Sequence, residues 1–307
     1  MNLFLPEGQL LHMPRNKYIL SRPSAIAQAA AEGTILEATA TVCNQNHDLL
    51  CDLGSMRGVI PRDAGAIGIA EGQVRDIALI SRVGKPVSFV VTEIRSDAEG
   101  RPLAILSRER AQRLCLEHYI NKLQPGQIID AKITHFENFG AFCDIGCGVI
   151  ALLPINAISV SRISHPSDRF RCGENIKAVV RTRDSAGRIT LSCKELLGTW
   201  QENAGRFTQG ETVSGIVRSV EDYGVFIELT PNLAGLAEPL ADVEIGQHTS
   251  VYIKSLLPEK MKVKLIIIDL LKDPPAPVPV KYYLDTGRLE RWVYSPKECP
   301  KIIETVF

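Results

Sequence analysis

Apolar and polar residues alternate along this chain in short bursts broken by glycine. Between Gly126 and Lys194 the bursts fall at Ile128–Thr134, Gly140–Asp144, Val149–Leu153, Ile176–Arg183 and Ile189–Ser192. Short runs of period two, rich in Ile, Val and Leu and bounded by turn residues, predict strands with one buried face. Five such strands in so short a stretch suit a small closed barrel, which leaves few strand edges unpaired.

The pattern recurs. GQIIDAKITHFENFGAFCDIG from Gly126 aligns without a gap on GETVSGIVRSVEDYGVFIEL from Gly210, so that Phe139-Gly140-Ala141-Phe142 falls on Tyr223-Gly224-Val225-Phe226 and Glu137 on Glu221. A more divergent copy opens at Gly33, where Cys51-Asp52-Leu53-Gly54 matches Cys143-Asp144-Ile145-Gly146 and the aromatic positions hold His47 and Leu50. Such repetition sets the fold before any single residue does. It predicts an all-β-dominated chain of three tandem five-stranded barrels at 33–108, 125–195 and 209–271, joined by short helical connectors at 109–124 and 196–208. The connectors are carried by Arg108–Lys122 and Lys194–Phe207, both rich in helix formers. Residues 1–32 are left as an N-terminal extension. In 272–307, Asp273–Val280 reads as an extended proline-rich spacer, and the aromatics Tyr282, Tyr283, Trp292 and Tyr294 are expected to dock the tail on its own barrel or, as the alternative, on a partner.

Composition changes this picture little. No apolar run approaches the roughly 20 residues of a membrane-spanning helix, and the N-terminus lacks the charged, apolar and small-residue order of a secretion signal. No membrane contact and a cytoplasmic location are expected. The eight cysteines form no C-x-x-C pair and read as free thiols, with Cys51 and Cys143 as small hydrophobes in strands. Neither a metal site nor any other cofactor is expected.

Charge matters locally. The formal net charge is zero, which argues against holding nucleic acid by bulk electrostatics alone. From Ile158 to Lys194, however, Arg162, Arg169, Arg171, Lys177, Arg181, Arg183, Arg188 and Lys194 face only Asp168, Glu174 and Asp184. Exposed aromatics beside such cations are what a single-stranded nucleic acid requires, since bases stack on rings and phosphates meet the charges. Phe139 and Phe142 are three apart, so plain alternation puts them on opposite faces; a kink at Gly140 is expected to bring them to one surface. The third copy is net acidic, with Lys260, Lys262 and Lys264 as its cationic cluster. The loop Ser159–Phe170 gathers Ser, His and Asp too closely along the chain for a catalytic triad, and reads as a mobile basic clamp for phosphates. No enzyme activity is expected.

Phe139-Gly140-Ala141-Phe142, the glycine opening the first strand, Arg188-Ile189-Thr190-Leu191-Ser192-Cys193-Lys194 closing the last, and the echo Leu106-Ser107-Arg108 in the first copy together resemble the bacterial ribosomal protein S1-like family of tandem S1 RNA-binding domains. The resemblance implies barrels of the OB-fold type. It implies that Phe139 and Phe142 stack bases, with Asp184 and Arg188 as the acidic and basic members of the site. The family's histidine is replaced by Pro154 in the second copy, by Glu238 in the third and roughly by Arg62 in the first. The third copy keeps Tyr223 and Phe226, with Lys262 in place of the arginine and Pro258 in place of the aspartate.

The function expected is non-catalytic binding of single-stranded RNA, such as messenger RNA, in or around translation. The second barrel, and in part the third, would hold RNA. The first would dock on the small ribosomal subunit or another ribosomal protein. The competing readings are a ribosome-docking or protein–protein adaptor with little RNA binding of its own, favoured by the neutral charge and missing histidines, and the accessory part of a ribonuclease.

Overall fold

The computed structural model describes residues 2–271 and 280–307; the spacer Asp273–Val280 lies, apart from Val280, outside them. Three closed five-stranded barrels follow one another along the chain. The first uses β1 (Ile35–Cys43), β2 (Leu49–Asp52), β3 (Arg57–Ile60), β4 (Pro86–Ser96) and β5 (Pro102–Ser107). The second uses β6 (Ile128–Glu137), β7 (Gly140–Asp144), β8 (Ile150–Pro154), β9 (Asn175–Arg183) and β10 (Ile189–Ser192). The third uses β11 (Thr212–Glu221), β12 (Gly224–Thr230), β13 (Leu233–Ala237), β14 (His248–Leu257) and β15 (Lys262–Leu270). In each, the fifth strand inserts between the third and fourth and runs parallel to the third, which closes the sheet on itself and removes its edges.

By contact the chain forms two compact units, and the division passes through the second barrel. One unit holds residues 1–123 with 130–132 and 143–150; the other holds 124–129, 133–142 and 151–307.

In the first unit, the N-terminal extension folds as α1 (Pro14–Leu20) and α2 (Pro23–Glu32). Each helix has proline at its start, where the missing N–H costs nothing, and α2 ends on Gly33 at φ 61°. Ile26 and Ala29 of α2 join the barrel core of Leu36, Ala38, Leu49, Phe89 and Leu106, and so does Leu79 from the short α3 (Ile77–Ile80). The connector α4 (Arg108–His118) is capped by Ser107 Oγ, which accepts from Arg110 N at 3.0 Å. A buried ion cluster ties these pieces together. The Glu7 carboxylate accepts from Arg108 Nε and Nη2 at 2.7 and 3.0 Å and from Ser88 N at 3.0 Å, and Glu7 N donates to Asp144 Oδ2 at 2.7 Å. Burial alone would raise the Glu7 pKa, but Arg108, with Arg82 behind it, holds it below the ordinary carboxylate value. Asp144 has less compensation: burial, and then the charge of Glu7, push it up to about 7.

In the second unit, α5 (Trp200–Ala204) begins with a capping box in which Thr199 and Glu202 exchange hydrogen bonds. The C-terminal segment does more than dock on its own barrel. Trp292 and Tyr294 enter the third barrel's apolar cluster with Trp200, and the Tyr294 hydroxyl donates to Asn232 O. The same segment also hydrogen-bonds the second barrel: Ile128 N donates to Gly287 O, Leu289 N to Gly126 O, and Lys177 N to Tyr282 Oη. A small hairpin, β16 (Arg291–Val293) with β17 (Glu304–Val306), finishes it.

Candidate nucleic-acid interface

Phe139 is not in a strand. It lies in the tight turn between β6 and β7, 56% exposed, while Phe142 stands half-buried on β7. A turn residue is free of strand alternation, and this is what puts the two rings on one surface, edge to face at 6.0 Å between centroids. The kink anticipated at Gly140 has a different meaning. A Cβ there would come within 2.5 Å of Leu153 O, so the glycine permits β8 to approach rather than bending β7.

The third barrel repeats the arrangement, with Tyr223 66% exposed in the turn and Tyr223 and Phe226 edge to face at 6.1 Å. Its register defines a row of outward positions across the barrel: Ser219 opposite Phe226, Phe226 opposite Leu236, Leu236 beside Lys264, and Lys264 opposite Ser255. Lys264 is thus two strand spacings, about 10 Å, from Phe226. That suits it better for the phosphate of a base stacked there than Lys262, which is exposed two residues along the strand opposite Leu257.

In the second barrel the aligned positions are His135, Phe142, Leu152, Thr190 and Thr182, with Leu152 beside Thr190 and Thr190 opposite Thr182. Sequence reading passed over His135. Its exposed imidazole lies parallel on Phe142, 4.5 Å between centroids at 11°, so a histidine reaches the site from β6 although Pro154 occupies the place where one was sought. Counting back from the two-residue turn Asn138-Phe139 puts residue 135 opposite residue 142, and that was the available signal.

In the first barrel the same row is Val42, Leu50, Val59 and Ile105, ending on Glu93. It carries no ring and no cation. His47, at φ 64°, and Arg62 are both engaged with Asp76, at 3.4 and 2.7 Å.

The cationic residues divide. Arg162, Arg171 and Arg188 are exposed and Lys194 is half-buried. Arg188 pairs with Asp184 at 2.7 Å in the β9–β10 turn, where Asp184 also accepts from the backbone of Ala186 and Arg188; the Arg188 side chain and these amides hold the Asp184 carboxyl below its usual value. Arg169 does not belong with the free cations. Its side chain is 7% exposed and donates through Nη1 and Nη2 to Glu228 at 2.7 and 2.9 Å, while Arg218 Nε donates to the same carboxylate at 2.8 Å. The loop 159–170, read from sequence as mobile, is pinned to the third barrel as well: Val160 N donates to Asn232 Oδ1 and Ser161 N to Pro231 O. Within it, Asp168 accepts from Ser164 N and His165 N, and His165 Nδ1 lies 2.6 Å from Ser167 Oγ. These side chains are occupied in shaping the loop.

Residues 122–194 match the S1 RNA binding domain family. The chain is similar to the small ribosomal subunit protein bS1 of Leuconostoc lactis, 29% identical over 84% of this chain and 63% of that one. It is also similar to the small ribosomal subunit protein bS1 homolog of Bacillus subtilis, 29% identical over 72% of this chain and 56% of that one. The chain therefore spans less than two thirds of the length of these relatives. Among solved structures, a multidomain protein with nucleic acid binding domains from Streptococcus pneumoniae aligns over 77% of this chain and 74% of that one at 13% identity, with a TM-score of 0.25.

Proposed function

We propose that this S1-like chain is a non-catalytic single-stranded RNA-binding protein that works in or around translation on the small ribosomal subunit. The observation that carries the reading is the aromatic pair of exposed Phe139 and half-buried Phe142, set edge to face on one surface of the domain that matches the S1 family. Each base stacked on such rings contributes about 1–3 kcal/mol. Arg162, Arg171, Arg188 and Lys194 supply phosphate contacts, with Asp184 fixing the Arg188 guanidinium. Tyr223, Phe226 and the lysines of β15 make a second, weaker platform. Arg169 has no part in it, because its guanidinium is buried against Glu228 and does not reach the surface.

The first barrel takes the other role. Its aliphatic row suits a protein surface such as a ribosomal protein better than bases, because it has neither rings nor cations to offer. Aspartate at Val42 and Val59 in the full chain is expected to release it from small subunits in co-sedimentation while leaving oligonucleotide affinity intact. The adaptor reading is favoured by one observation: an equivalent row free of aromatics already exists in this chain, so a barrel here need not bind RNA. Ultraviolet cross-linking of the intact protein to an unstructured oligoribonucleotide separates the two. Cross-links on the peptide containing Phe139 and Phe142 support the RNA platform; cross-links absent from both aromatic barrels favour the adaptor.

A further inference from the structure

We infer that His135, not Phe142, presents the outermost stacking surface of the second barrel, so that a nucleobase there lies on the imidazole and becomes the third ring of a pile begun by Phe142 and His135. The inference rests on the RNA-binding reading above and names a residue that reading does not include.

The geometry is specific to this barrel. Phe142 is half-buried, and one of its faces is covered by the His135 ring, parallel to it at 4.5 Å. A base arriving from solvent therefore cannot stack on that face unless the imidazole leaves. His135 itself is exposed, and its ring is held on one side by Phe142, with Thr134 Oγ1 3.4 Å from Nδ1. Phe139 stands edge to face with Phe142, 56% exposed, so it is not one of the parallel rings. An imidazole is a competent stacking surface for single-stranded RNA, as are the rings of Phe, Tyr and Trp. The third barrel places Ser219 at the same cross-strand position, which has no ring to add. The two platforms thus differ in depth: Tyr223 and Phe226 form a two-ring site, whereas Phe139, Phe142 and His135 form a three-ring site. The second barrel is the stronger binder for that reason as well as for its charge.

The test is the affinity of the full-length protein for an unstructured oligoribonucleotide, measured by fluorescence anisotropy for wild type, His135→Ala, His135→Phe and Phe139→Ala/Phe142→Ala. Histidine ring protons are followed by NMR during the titration, with His135 assigned by its disappearance in His135→Phe. The expected result is about a tenfold loss for His135→Ala, affinity near wild type for His135→Phe, and an upfield shift of the His135 ring protons as a base covers them. His135→Ala binding as tightly as wild type or tighter, while the double phenylalanine variant loses affinity, would make the imidazole a mere cover over Phe142 and overturn this inference alone. A wild-type chain that does not bind the oligonucleotide overturns both this inference and the RNA reading.

Discussion

The buried cluster Arg169–Glu228–Arg218 allows a sharp prediction, because the same chemistry occurs in the exposed pair Asp184–Arg188. Side-chain exposure in the cluster is 7%, 4% and 8%, against 39% and 83% for Asp184 and Arg188. Neutralising Glu228 as Glu228→Gln removes the charge that compensates two desolvated guanidiniums; the nearest substitute, Asp168, is 4.0 Å from Arg218 and 32% exposed. Breaking a buried pair in this way costs about 3–5 kcal/mol. Asp184→Asn breaks a solvated pair and should cost less than about 1 kcal/mol. Urea unfolding followed by tryptophan fluorescence is the assay, since Trp200 and Trp292, the only two tryptophans, both lie in the third barrel's cluster. The pH dependence carries an independent sign. Against the cost of burial, Arg169 and Arg218 hold the Glu228 pKa below 4.5, so its stabilisation is present above that value and is lost as pH falls through the lower folded-state value. Glu228→Gln should flatten this acid limb. Equal costs for the two variants, or an unchanged acid limb, would refute the argument that burial makes this cluster the structural one.

Other substitutions probe separate parts of the chain. Asp144→Asn should weaken the pH dependence of the first unit's stability: a carboxyl pushed up to about 7 from 3.8 binds its proton more tightly when folded, so stability should rise as pH falls between those values, and thermal melts of wild type and variant across that range check it. Trp292→Ala should cost about 3–5 kcal/mol in urea unfolding, because it empties a ring-sized space in the third barrel's cluster. Lys264→Ala should reduce the slope of log affinity against log salt for an oligoribonucleotide by about one; a slope that falls instead for Lys262→Ala would reassign the phosphate contact.

The repeat made the barrels legible because strand period and turn spacing are local properties: the second barrel's predicted runs differ from β6–β10 only at their ends, as in Val149–Leu153 against Ile150–Pro154. The helices of the N-terminal extension went unread, although Pro14, Pro23 and Gly33 mark their ends, because their apolar positions have meaning only against a core formed by later strands. Arg169 could not be sorted from Arg162 and Arg171 by sequence, since its partner Glu228 is 59 residues away and what decides its role is burial. The turn position of Phe139 and the stack of His135 on Phe142 were one step further off, requiring the hairpin register and not merely the strand pattern. The tail's aromatics were visible, whereas their division between two barrels depends on Lys177 and Asn232, which nothing in the local sequence links to residues 282–294.

The central claim is that the second barrel holds single-stranded RNA by stacking. Its most direct test is the affinity of the full-length protein for a short unstructured oligoribonucleotide at low and physiological salt, wild type against Phe139→Ala/Phe142→Ala. Stacking predicts binding that persists at physiological salt and a loss of at least about tenfold in the variant at both salt concentrations. Weak binding that the double substitution leaves unchanged would contradict it and make the chain an adaptor.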